Sequence, residues 1–205
     1  MANPSNRMGL HGRVATLVEK GWPEACGTPI ASTTVTRQEL GLCPVHKTIL
    51  TATALPITIT DDAAVAQYGG AVTAIYTFPQ GLICNLGAVI DGTITLGVTG
   101  TIIATWAGGI ALGTVTATTG ATLVGTEATW MPEVDVAAAV GSVATVDAVS
   151  VATALTESGA RWVDGTTTPA PVFLNLVVDD SATHTSGTGT FTGTVTLTWI
   201  NLGDK

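Results

Sequence analysis

Residues able to do chemistry are few in this chain, and their spacing limits what each can do. Cys43 and His46 form a Cys-x2-His pair, with Cys26 and His11 as distant further donors for a zinc ion. Structural zinc sites draw on paired Cys-x2-Cys spacing, which is missing here. Free thiols and a solvated imidazole are the preferred reading, and no metal site is expected. Asp61-Asp62 and Asp179-Asp180 offer carboxylate oxygens to calcium. No EF-hand-like pattern surrounds them, so both pairs are expected to close strands at turns.

His184, with Asp179 or Asp180 and Ser181 or Ser186, supplies the residue types of a hydrolytic triad. Nothing resembles Gly-x-Ser-x-Gly, and Thr185 to Gly189 reads as a polar loop between strands. A glycosidase needs two carboxylates in a cleft with aromatic platforms, whereas Trp22, Trp106, Trp130, Trp162 and Trp199 are spread along the chain. The glycines at 97, 100, 108, 109, 113, 120 and 125 are not followed by a helix opened by Lys-Ser or Lys-Thr, so no phosphate loop is present. The expectation is a non-enzyme with no catalytic, cofactor or metal residues.

Composition points to the elements behind these residues. The 205 residues are 46% hydrophobic but only 11% charged, with 24 glycines. Long charged side chains, the usual covering of helices, are scarce, and the apolar content is too high for disorder. Mean hydropathy is positive, yet threonine and glycine interrupt every apolar run, so no helical membrane span is expected. The first ten residues lack an apolar core, so no secretory signal is expected either, and three cysteines without framework spacing suit assembly in a reducing cytosol.

Period-two alternation dominates from Thr48 onward. Leu55 to Thr60 leads to Asp61-Asp62, Ala71 to Phe78 reads as a strand, and Leu82 to Ile90 meets Asp91-Gly92, a two-residue hairpin signal. Thr93 to Leu96, Thr101 to Trp106 and Ile110 to Thr118 follow, the last two separated by Gly108-Gly109. Val172 to Val178 reads as a buried strand. Thr190 to Ile200 places Phe191, Val195, Leu197 and Trp199 on one face, with Gly193 marking a bulge or a close approach of backbones. The Ala/Val-rich stretch 130–157 reads as an excursion of short strands, with a helical turn at Ala137 to Ala139. About eight strands at this spacing predict an all-β, jelly-roll-like β-sandwich.

Residues 1–47 differ in kind. Prolines punctuate them, and they hold five of the seven basic residues, Arg7, Arg13, Lys20, Arg37 and Lys47, against three glutamates. Residues 48–205 carry the remaining two cations against twelve carboxylates. Such an acidic body repels nucleic acid. The expected organisation is an extended N-terminal docking arm over 1–47 and a body over 48–205. Trp22 is the expected aromatic anchor, since buried aromatics dominate interface energetics.

The blocks Val172 to Ser181 (VFLNLVVDDS) and Gly189 to Asp204 (GTFTGTVTLTWINLGD) resemble the closing part of structural proteins of tailed bacteriophages. Leu55 to Asp62 (LPITITDD) and Gln67 to Gly70 (QYGG) resemble the same group, the capsid decoration or cement proteins. The resemblance covers roughly 50–205. It implies a virion protein on the outside of an icosahedral head, assembled in the host cytoplasm, often trimeric, with the major capsid protein as partner. Arg7, Arg13, Lys20, Trp22, Arg37 and Lys47 are then the candidate capsid contacts. A carbohydrate- or receptor-binding sandwich of a phage fibre or cell surface is the alternative. It requires Trp106, Trp130 and Trp162 to be exposed together.

Overall fold

The computed structural model describes residues 28–29, 34–40, 45–62, 66–97, 106–118, 122–140, 143–151, 162–179 and 186–203. Expectations that rest on Arg7, His11, Arg13, Lys20, Trp22, Cys26, Cys43, Asp180, Ser181 and His184 lie outside these residues.

Within them the chain forms twelve strands: β1 (Thr28–Pro29), β2 (Val35–Leu40), β3 (Val45–Asp62), β4 (Ala66–Ala71), β5 (Tyr76–Thr77), β6 (Gly81–Leu96), β7 (Ala107–Gly113), β8 (Met131–Val140), β9 (Val143–Val151), β10 (Trp162–Gly165), β11 (Pro171–Asp179) and β12 (Gly187–Asn201). One 3-10 turn covers Gly125–Ala128. The all-β expectation is met.

All pairings are antiparallel. The order β3-β12-β6-β9 makes one sheet, and β4-β11-β7-β8 makes the other. Pairing of β3 with β4 joins them along one flank and pairing of β8 with β9 joins them along the other, so the sheet curls nearly into a barrel. Chain neighbours β3 and β4, β6 and β7, β8 and β9, and β11 and β12 fall in opposite sheets. That is the strand order of an eight-stranded jelly roll. Strands β1, β2, β5 and β10 are additions to this frame.

The core lies between the sheets, and period two explains its residues. On β12, Phe191, Val195, Leu197 and Trp199 are buried, as the alternation predicts. Leu50, Ala52, Leu55, Ile57 and Ile59 do the same on β3, switching parity at a bend. At that bend Ala54 adopts φ 49°, the register to β12 shifts between Phe191 and Gly193, and the Ala54 amide donates to the Thr192 hydroxyl at 3.0 Å. The bend lets β3 pair first with β2 and then with β4. Gly193 is both expected things at once, lying at the register shift with Gly92 directly opposite.

Several local expectations are corrected. Asp91-Gly92 is no hairpin: β6 runs through it, paired to β12 on one side and β9 on the other. Gly92 serves close approach, since a Cβ there would lie 2.4 Å from the Thr192 carbonyl oxygen. Gly108-Gly109 likewise lies inside β7, where a Cβ on Gly108 would strike the Val177 carbonyl. Asp61 and Asp62, by contrast, do close their strand as expected, as the last two residues of β3, paired to Gln67 and Ala66. The strand expected over 71–78 is broken between β4 and β5. Ala137 to Ala139 is strand: 130–157 supplies β8 and β9, because cross-strand pairing outweighs a weak helical preference. Strand β3 starts at Val45 and β2 pairs along it, so the described part of the expected arm belongs to the sheet and β3 runs across the 47/48 boundary.

Candidate interaction surface

One end of the first sheet is wider than the jelly roll requires. There β2 flanks β3 and β10 flanks β6, giving the local order β2-β3-β12-β6-β10. Its inner face is tied by polar bonds among aromatic rings. Trp199 Nε1 donates to Thr48 Oγ1 at 2.8 Å, and Thr48 Oγ1 donates to Glu39 Oε2 at 2.8 Å. Tyr76 Oη donates to Glu39 Oε1 at 2.9 Å. His46 stacks on Trp199 with centroids 4.2 Å apart, and Phe78 meets Tyr76, Trp130 and Trp199. Satisfied bonds of this kind hold a sheet rigidly in one shape.

The outer face of the same end is apolar. Val45, Ile200, Cys84 and Trp162 form one register row across four strands. Their neighbours Val163 and Trp199 pack on the core, so this row points outward. Leu40, Val45, Trp162 and Leu202 are 44%, 38%, 51% and 54% exposed, so large apolar side chains meet solvent together on this face. Leu202 sits beside Leu82 through the bond from its amide to the Leu82 carbonyl at 2.9 Å. Cys84 is a buried free thiol in the middle of the row.

Charge stands at two corners. Lys47 is exposed, opposite Thr198, and Asp164 is exposed, opposite Leu82. The Thr166 hydroxyl donates to Asp164 Oδ1 at 2.6 Å and the Thr166 amide at 3.0 Å. These bonds, the hydroxyl's first, hold the Asp164 carboxyl below the ordinary carboxylate value and keep it charged at neutral pH.

Of the expected contact residues that are described, Lys47 lies on this face. Arg37 lies on β2 opposite Leu50, with Nε 4.0 Å from Glu39 Oε1. Trp106 and Trp130 are buried, the latter donating Nε1–H to the Pro171 carbonyl at 2.8 Å, so the three-tryptophan platform of the sugar-binding alternative does not form. Sequence reasoning missed Leu40, Val45, Ile200 and Leu202, which lie at or next to the ends of β2, β3 and β12; the lone signal was an aromatic, Trp162, opening a polar stretch. Among the described residues, no group of three or more His, Cys, Asp or Glu side chains gathers to hold a metal. Among them too, no helix is long and apolar enough to cross a membrane.

A second polar cluster fixes the loop after β7. Asn175, fully buried on β11, donates to the carbonyls of Val115 and Glu127, both at 2.8 Å, and accepts from the Ala117 amide at 3.0 Å. Glu127 Oε1 accepts from the Thr118 amide at 2.7 Å, and Glu133 accepts from the Leu123 amide. Apart from a bond from the Thr118 hydroxyl to Glu127 Oε1 at 3.2 Å, these bonds go to backbone, so the cluster is a structural clamp.

Comparison with family models, with curated proteins and with solved structures returned no match.

Proposed function

We propose that this protein is a structural virion protein that binds the outer surface of a tailed-phage capsid and stabilises it by bridging neighbouring major capsid subunits. A jelly roll serves many functions, so the fold alone is not the argument. The observation that carries the reading is where the basic leading stretch joins the body. Thr28–Pro29 pairs with β5, and Val35–Leu40 adds to the flank of β3, so the segment bearing Arg7, Arg13, Lys20 and Trp22 is attached at sheet edges. An arm rooted there can add a strand to a neighbouring subunit, while many copies on one lattice gain by multivalency. The phage assignment comes from the resemblance of 172–181 and 189–204, which also implies trimers on the head.

The test is co-sedimentation with expanded heads of the source phage, full chain beside a version lacking residues 1–27. The deletion stops there because Thr28–Pro29, Val35–Leu40 and the strand that starts at Val45 belong to the sheet. Saturable pelleting at a fixed ratio to capsid subunits, weakened by the deletion, is the expected result. Absence of pelleting by the full chain overturns the reading, and binding to a glycan array in its place supports the fibre or surface module.

A further inference from the structure

We infer that the outer face of the β2-β3-β12-β6-β10 end is the contact between two copies of this chain, with Lys47 of each copy against Asp164 of the other. The apolar row runs from Val45 through Ile200 and Cys84 to Trp162, and Leu40 and Leu202 extend it. Four of the large apolar side chains exposed on the described surface gather on it, beside a threonine-covered remainder of β12.

Charge selects the occupant. Lys47 lies on β3 and Asp164 on β10, three strand spacings apart, about 14 Å, so they cannot pair within one chain. Lys47 stands at the level of Thr198, and Asp164 at the level of Leu82 beside Leu202, so Ile200 and Cys84 lie midway between them. A two-fold axis in the plane of the face, crossing midway between Ile200 and Cys84 and perpendicular to the line from Lys47 to Asp164, therefore sets each Lys47 against the partner's Asp164. The same operation lays apolar surface on apolar surface. Self-complementarity of this sort is what an isologous interface requires. The rigid aromatic and polar layer beneath holds the face ready, which lowers the ordering cost of association.

The inference stands apart from the capsid reading, because the pair forms in solution with no head present. The test is sedimentation velocity of the full chain over a concentration series, with W162D, K47D, D164K and the double variant K47D/D164K. Dimers are expected for the wild type, and monomers for W162D. Each single charge reversal sets like charges together twice per pair and weakens association about tenfold or more, while the double variant recovers most of it. All three substituted positions are exposed, and a circular-dichroism spectrum checks the folding of each variant.

A monomeric wild type at tens of micromolar overturns the inference. So does a dimer that survives W162D, or a double variant no better than the single ones. If the wild type is monomeric and W162D loses only its pelleting with heads, the face belongs to the capsid. That result removes the copy-to-copy contact and leaves the capsid reading standing.

Discussion

The indole of Trp199 and the hydroxyl of Thr48 are bonded at 2.8 Å across 151 positions of chain, and neither residue is exposed. The bond links strands β3 and β12 from inside the sandwich and passes its polarity on to Glu39, which also receives Tyr76. Thr48→Val keeps the shape but removes both the acceptor for Trp199 and the donor to Glu39. A loss of about 1–3 kcal/mol is expected, read from urea unfolding, with Thr48→Ser retaining most of the stability.

Asn175 is the counterpart at the opposite sheet. Asn175→Leu leaves two carbonyls and an amide without their buried partner. Destabilisation of about 2–4 kcal/mol is expected. Hydrogen exchange locates it: the Ala117 amide should lose protection before those of β12.

The bend where β3 meets β12 makes a pair of opposite predictions. Ala54 occupies φ 49°, a left-handed conformation that costs an L side chain, so Ala54→Gly is expected to stabilise by about 0.5–1 kcal/mol. A Cβ at Gly193 would lie 2.2 Å from the Asp91 carbonyl oxygen and 2.5 Å from Gly92 Cα. Gly193→Ala should therefore lower the thermal midpoint sharply. Gly125→Ala, with nothing near its Cβ position but φ 59°, should cost only about 1 kcal/mol.

Asp164 responds to acid through its bonds to Thr166. Its folded-state value lies below the ordinary one, so its small contribution to stability is present above the unfolded value and is lost as pH falls through the folded one. Thr166→Val removes the larger cause. A carbon-detected titration should show the Asp164 carboxyl moving up toward its ordinary value, and an unchanged midpoint would refute the assignment.

Asp91 and Asp147 lie directly opposite one another on β6 and β9, and both are exposed. Like charges so placed repel. Asp147→Lys should raise stability by about 0.2–1 kcal/mol, an effect that shrinks with added salt.

Much of the fold is legible along single segments. Phe191, Val195, Leu197 and Trp199 alternate with threonine, and burial follows that alternation residue by residue. Val172 to Val178 is read correctly as buried strand for the same reason. Glycines mislead: the dipeptide Asp91-Gly92 carries turn chemistry, yet its neighbours on both sides are strands, and the missing Cβ is used for backbone contact. The candidate surface is barely legible, because it is composed of Leu40, Val45, Cys84, Trp162, Ile200 and Leu202, drawn from five strands and a strand end.

By itself the sequence determines the class and the faces. Sparse charge, abundant threonine and period two dictate β-strands, and within each strand they dictate which side chains turn inward. Only the tertiary structure decides which strand lies beside which. Every residue except proline offers a ladder the same N–H and C=O, so local chemistry is nearly indifferent to the partner. Partners are selected when eight strands must together bury one core and close their edges. That collective requirement sets Trp162 beside Cys84, Gly92 against Gly193, and Lys47 and Asp164 at opposite corners of one apolar face.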